Sequence, residues 1–380
     1  MSELPTFDTD FRSLEADAKF PVEPIPNEAF RNGIVVRMPN HLGDAVMALP
    51  ALKSLRSILP EYCALYVITP AALRQLYPAV EGVDGIMILE KPHRMWSFET
   101  LNELRMLRLG VGVLFNNSFR DALMMRLAGV KHLYGAAKRG RSFLLTRAFK
   151  FPPRRDRELA GAHLAKRYLA ITAALGAVHE GALMPKIDLS NLLIDPTDIF
   201  CALSRHPLHL VLAAGAAYGP AKRWPEENFR TVAACWVRHG GVVSVAGSAA
   251  EREVGNKVLS GLPPERCFNL CGKTTLNKLM VVLKNAALCI ANDSGVMHLA
   301  AALGTPGVAV FGPTDPAATA PVTDKWILLY RQTACAPCFR RECPDNQSIK
   351  AITSRQALEA LLRQCRRFGI RLQPKKKPTR

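Results

Sequence analysis

From Asn32 onward, short apolar runs alternate with segments whose apolar residues recur at helical spacing. The runs GIVVRMP from Gly33, CALYVITP from Cys63, VDGIMILE from Val83 and VGVLFN from Val111 are apolar nearly throughout, with no in-and-out alternation. That pattern predicts parallel strands covered by helices on both faces. A helix over 161–175, GAHLAKRYLAITAAL, closes this series, and the following 30 residues, from Gly176 to Arg205, lack a strong period. The alternation restarts with LHLVLAAG from Leu208, GGVVSVAG from Gly240, CFNLCG from Cys267, AALCIAN from Ala286 and GVAVFG from Gly307. Two doubly wound α/β domains are expected, with a boundary near residue 185 and a cleft between them where small-molecule sites commonly lie.

Composition narrows the classes without changing this layout. Of 380 residues, 49% are apolar and 22% charged, and mean hydropathy is +0.05, values of a globular protein and not of a disordered or polytopic membrane chain. The first 30 residues hold seven acids against two bases, the opposite of a secretory or transit signal, so the cytoplasm is the expected compartment. Ten scattered cysteines match reduced thiols better than a disulfide framework. A formal charge of +18 favours anionic partners: nucleic acid, an acidic membrane surface or a phosphorylated substrate. It concentrates between Lys138 and Arg157, with eight bases and one acid, and between Arg366 and Arg380, with seven bases and no acid. No nucleic-acid recognition motif or aromatic platform accompanies those runs. Nucleic acid is not expected as a partner, although a non-enzymatic anion-binding protein stays open as a different class.

The common nucleotide signatures fail. Gly110-Val-Gly112 lacks a third glycine and falls within a strand candidate, and CGKTT at Cys271 has Cys267 where a P-loop needs glycine. Other loops carry more chemistry. After the first strand, Asn40, His41, Leu42, Gly43 and Asp44 lead into a helix, which makes Asp44 either an N-cap or a general base at a strand's carboxyl end. Asn40, His41 and Gly43 are neighbouring acceptor-side candidates. Lys222 and Arg223 precede a helix expected near Pro225, an arrangement suited to a phosphate. Asn292, Asp293, Ser294 and Gly295 join a buried strand to an apolar helix bearing His298, whose first amides are free to hold a diphosphate; His298 reads as a ligand or as a core histidine. Gly312, Pro313, Thr314 and Asp315 form a second loop on that edge. Cys335, Cys338 and Cys343 have C-x2-C-x4-C spacing, incomplete for structural zinc unless Cys365, a carboxylate or a remote ligand joins them.

The elements HLGDAVMALPALKSL, HLAKRYLAI, GAAYGPAKRWPEENF, VAGSAAEREVGN, NDSGVMHLAAALGTPGVAVFGPTDP and CAPCFRREC, in this order over most of residues 33–345, resemble glycosyltransferase family 9, the bacterial heptosyltransferases of the lipopolysaccharide inner core. Within it the AKRWP and cysteine elements look closer to the second heptosyltransferase than to the first. The resemblance implies a GT-B fold of two Rossmann-like domains facing across a cleft: an acceptor domain over 32–185 and a nucleotide-sugar domain over 186–350, after an acidic extension over 1–31. A C-terminal helix within 351–372 would pack back on the first domain, ahead of a basic tail over 373–380. It also implies inverting transfer of heptose from ADP-heptose to a Kdo or heptose acceptor on lipid A, without a required metal or cofactor, at the cytoplasmic face of the inner membrane. Asp44 then corresponds to the catalytic base, Lys222, with Arg223 beside it, to the diphosphate site, Asp293, Ser294, Gly295 and His298 to the nucleotide-sugar loop, and Glu251 to an acidic donor-site position. Another nucleotide-sugar donor, or an epimerase of the same fold, is the alternative, because a fold does not fix a reaction.

Overall fold

The structure is a computed structural model describing residues 20–151, 163–178, 184–190, 203 and 205–373. Most of the acidic extension, the end of the basic run beyond 151, the first residues of the 161–175 helix and all but the first residue of the basic tail lie outside the described residues. The chain divides into two compact units between Asp188 and Leu189, against an expected boundary near 185.

The first unit contains β1 (Gly33–Arg37), α1 (Leu42–Met47), α2 (Leu49–Ser54), β2 (Ala64–Pro70), β3 (Gly85–Leu89), α3 (Phe98–Leu107), β4 (Val111–Leu114), α4 (Phe119–Leu127), β5 (His132–Ala136), β6 (Arg147–Phe149) and α5 (Leu164–Ala174). Its strands form one parallel sheet in the order β3-β2-β1-β4-β5-β6. β1 is central, with Val35 opposite Tyr66 of β2 and Gly112 of β4, and every residue of β1 is buried. That burial explains why the run reads as continuously apolar until Arg37.

The second unit repeats the plan with β7 (His209–Ala213), α6 (Glu226–Arg238), β8 (Val242–Val245), α7 (Arg252–Leu259), β9 (Cys267–Asn269), α8 (Leu276–Lys284), β10 (Leu288–Asn292), α9 (Gly295–Ala302), β11 (Gly307–Phe311), β12 (Trp326–Tyr330) and α10 (Ser354–Arg367). The order is β12-β11-β10-β7-β8-β9, again all parallel. Counted from each unit's first strand, both sheets have the 3-2-1-4-5-6 arrangement of the Rossmann fold.

β5, β6 and β12 are additions to the sequence reading. β5 is broken in pattern by Gly135, β6 is three residues long, and β12 follows a helix of four residues, Pro316–Thr319, too short to show helical spacing. The last helix needs a correction. α10 was expected to pack on the first domain, but it buries Ala357, Ala360, Leu361 and Cys365 in the core of the second unit. Gln364 Nε2 fastens it there, donating at 2.7 Å to the carbonyls of Gly307 and Lys325. Its start is set by a capping box between Thr353 and Gln356.

His209, at the start of β7, is fully buried, with Nε2 2.8 Å from Ser244 Oγ and no partner on Nδ1. Burial first, and His206 second, lower its pKa to about 4. The unfolded chain therefore takes up a proton near pH 6.5 that the folded chain refuses, and the stabilisation present above 6.5 is lost as pH falls towards 4. In paired pH-dependent urea titrations, His209→Gln is expected to flatten the loss of stability between those values, by up to about 1.4 kcal/mol per pH unit. Parallel curves for the two proteins would assign the acid sensitivity elsewhere.

Candidate active site

In each unit, the strand-to-helix loops carrying the candidate residues leave the carboxyl edge of a parallel sheet. In the first unit Arg37, the last residue of β1, organises that edge although fully buried. Its Nε donates to Asp121 Oδ2 at 2.8 Å, Nη2 donates to Asn40 Oδ1 at 2.6 Å, and Nη1 donates to the Met38 carbonyl. Asp121, equally buried at the start of α4, also accepts from Trp96 Nε1 at 3.1 Å and from Asn116 Nδ2. Burial pulls the Arg37 pKa below its ordinary value, with Asp121 opposing the shift. The guanidinium thus holds the loop that carries Asn40.

The N-cap of α1 is His41, which is exposed and makes no side-chain cap. Asp44 is not an N-cap; it lies in the first turn of α1, half-buried, and Gly43 beside it is buried. A carboxylate there faces the positive end of a helix, which stabilises its charged form.

In the second unit a buried asparagine at the end of a central strand plays a comparable part. Asn292, the last residue of β10, donates from Nδ2 to the Ala214 carbonyl at 2.7 Å and accepts the Trp224 backbone N–H at 3.1 Å. It joins the loop after β7 to the segment before α6, and so fixes the path of Lys222 and Arg223. Trp224 is itself buried and donates from Nε1 to the Ile352 carbonyl at 2.8 Å.

On this frame Lys222 Nζ lies 2.6 Å from Asp293 Oδ2, with side-chain exposures of 11% and 5%. The same oxygen accepts from Thr314 Oγ1 at 2.6 Å, so the 292–295 loop and the 312–315 loop meet on one carboxylate. Ser294 is the N-cap of α9, and its Oγ is buried with no hydrogen-bond partner. Gly295 opens the helix, and His298 is buried at 4% exposure within it. Arg223 Nε is buried without a partner. Glu251 accepts from Ser248 N and Oγ through Oε2 at 2.7 and 2.9 Å, and its carboxyl group fills the space where Gly215 and Gly247 lack side chains.

The structure therefore brings Lys222, Asp293, Ser294 and Gly295 together, and sets Glu251 against the loop after β7. Sequence reasoning missed Arg37, Asp121, Tyr218 and Arg341, and it placed Asn292 in its loop without the bonds to Ala214 and Trp224. Lys222 Nζ lies 4.8 Å and Arg341 Cζ 5.2 Å from the Tyr218 ring centroid. The Arg341 carbonyl accepts the Ala221 N–H at 3.0 Å, close to Gly219, where a Cβ would strike that carbonyl. The cysteine-bearing segment thus packs beside the lysine loop as a structural neighbour. Among the described residues no three His, Cys, Asp or Glu side chains gather as a metal-binding group; Cys335 is exposed, and Cys343 Sγ accepts the Asn346 amide at 3.4 Å.

Residues 100–349 match glycosyltransferase family 9 (heptosyltransferase). The chain belongs to this family. Lipopolysaccharide heptosyltransferase 2 of Salmonella typhimurium is 30% identical over 350 residues, covering 86% of this chain and 97% of its own length. The Escherichia coli protein of that name is 28% identical over 343 residues, covering 86% and 97%. Among solved structures, Escherichia coli ADP-heptose LPS heptosyltransferase II superposes with a TM-score of 0.74 at 28% identity, over 88% of this chain and 98% of that one. Escherichia coli heptosyltransferase WaaC with ADP shares the fold, with a TM-score of 0.66 at 17% identity over 87% and 99%. The family 9 chain is thus a glycosyltransferase with the two Rossmann-like domains of a GT-B enzyme.

Removing the Asp121 carboxylate would leave Arg37 buried without a counter-charge. For Asp121→Ala a loss of about 3–5 kcal/mol is expected, read as a lowered unfolding midpoint of the first domain. A change within about 1 kcal/mol would show that the fold does not depend on this pair.

Proposed function

We propose that this glycosyltransferase transfers heptose, with inversion, from ADP-heptose to the lipopolysaccharide inner core, on a Kdo or heptose residue of a lipid A-borne acceptor. The observation that carries the reading is the Lys222–Asp293 ion pair beside the open start of α9. A nucleoside diphosphate needs cationic and N–H donors where its leaving group gathers charge. Lys222 has three N–H donors, of which Asp293 takes one. The Gly295 end of α9 offers amides and the positive end of the helix dipole, and Ser294 Oγ a buried hydroxyl. Glu251, against the loop after β7, is an acceptor for donor hydroxyls. The names of the relatives supply the sugar: both curated proteins are lipopolysaccharide heptosyltransferases, and the solved relative is an ADP-heptose enzyme.

In this reaction Asp44 removes the proton of the acceptor hydroxyl as its oxygen attacks the anomeric carbon. The bond from that carbon to the diphosphate breaks, and the charge passes to the oxygens held by Lys222 and the α9 amides. Asn40, His41 and Gly43 line the acceptor side in this reading, with the Asn40 side chain oriented by Arg37. Arg223 and His298 support the donor loop. The acceptor, carried on lipid A, places the reaction at the cytoplasmic face of the inner membrane in this reading; no helix among the described residues is long and apolar enough to cross a membrane.

Incubation with ADP-heptose and truncated lipopolysaccharide is expected to give a product heavier by one heptose, whereas UDP-sugars give none; transfer from UDP-sugars alone would reject the donor assignment. Asp44→Asn should lower kcat about 10²- to 10⁴-fold with ADP affinity nearly unchanged, and turnover within a few-fold of wild type would remove Asp44 from the role of base. Lys222→Ala should weaken both ADP binding in calorimetry and turnover, since its ammonium meets the diphosphate before and during bond breaking. Unaltered ADP affinity would place the diphosphate elsewhere.

A further inference from the structure

At the carboxyl edge of the first sheet four large apolar side chains stand exposed: Met95 at 56%, Phe98 at 70%, Phe119 at 37% and Phe143 at 76%. They come from three segments that the fold ties together. Arg120 donates to the carbonyls of Pro92 and His93, and Trp96 donates to Asp121, which fixes the segment after β3 to the start of α4. Arg141 Nη1 donates to the Ser118 carbonyl at 3.2 Å, which brings the segment after β5 to the same place, and the Phe119 and Phe143 rings meet at 5.9 Å. Phe98 and Phe119 are each the first residue of a helix capped by serine, Ser97 and Ser118. A partly buried polar net thus holds outward-facing rings. Single exposed apolar residues are ordinary on a protein surface, whereas a cluster held on one edge marks an interaction site.

The charge around the cluster selects the partner. Lys91 and Arg94 after β3, and Lys138 and Arg139 after β5, are exposed on two of these segments, against the exposed acids Glu90 and Glu99. A second copy of this chain would bring the same cations, in a protein of net charge +18, against themselves. Aromatic rings ringed by lysine and arginine suit the boundary of an anionic bilayer, where the rings enter between headgroups and the cations pair with phosphates.

We propose that this edge of the first domain, centred on Phe98, Phe119 and Phe143, docks on an anionic lipid bilayer. The docking surface deepens the placement at the inner membrane proposed above and rests on that reading for its partner, whereas vesicle binding can be measured apart from the transfer reaction. Because the loop carrying Asn40 leaves the same sheet edge as the docking segments, a bilayer there lies beside the acceptor loop.

The test uses the full-length protein with sedimenting vesicles of phosphatidylethanolamine and phosphatidylglycerol, compared with phosphatidylcholine alone. Wild type is expected to bind the anionic vesicles and to release them as salt rises. Phe98→Ser/Phe143→Ser and Lys138→Glu/Arg139→Glu are each expected to lower the partition coefficient about tenfold or more, with Tm unchanged. Both should retain wild-type turnover on ADP-heptose with a deacylated, water-soluble acceptor. That last measurement separates the two ideas, since its failure in wild type would strike the transfer reaction and leave vesicle binding intact. Undiminished binding by the phenylalanine variant, equal binding to phosphatidylcholine, or a dimer in solution that this variant dissociates would each overturn the docking surface.

Discussion

Both halves of the molecule obey one constraint: all strands of a sheet run the same way, so every strand-to-helix loop emerges on one edge, and whatever ends a central strand must meet those loops without access to water. In each unit one of the two central strands solves this with a polar side chain at its last position. Arg37 ends β1 and binds the 38–40 loop, Asp121 and, through it, Trp96; Asn292 ends β10 and binds Ala214 and Trp224. A buried polar group is tolerable when its partners are present, and these partners belong to the loops that carry the candidate residues. The chemistry at each edge and the stability beneath it therefore rest on the same few bonds.

Much of this plan was legible from residue order. The continuous apolar runs of β1, β2, β7, β10 and β11 are what strands covered on both faces look like, and the Gly- and Asp-rich stretches between them are what loops require. The strands that escaped notice are those whose physical support is non-local. β5 contains Gly135, kept small first by Leu114 of β4 and then by the buried Arg141, and β12 is an apolar run joined to its sheet through a loop with almost no helix.

The site was legible by residue type and not by partnership. Asp44, Lys222, Asp293, Ser294 and Gly295 could be singled out because each sits where a strand gives way to a helix, and Glu251 through the family resemblance alone. Nothing in a linear pattern shows that Lys222 will meet Asp293 across 71 positions, or that Thr314 will share the same oxygen. Arg37 escaped because a cation ending an apolar run reads as the start of solvent, whereas its charge is balanced by Asp121, 84 positions away. The C-terminal helix misled for a related reason: its amphipathic face shows that it must pack, and only Gln364, bound to Gly307 and Lys325, reveals on what.

The Glu251 carboxyl group occupies the volume that side chains at Gly215 and Gly247 would need. The three positions therefore form a single steric unit, in which the acid has its orientation because two backbones stay bare. Sequence change at any one of them is coupled to the others, so a remodelling of this corner has to pass through concerted replacement, and the corner is expected to drift more slowly than its surroundings.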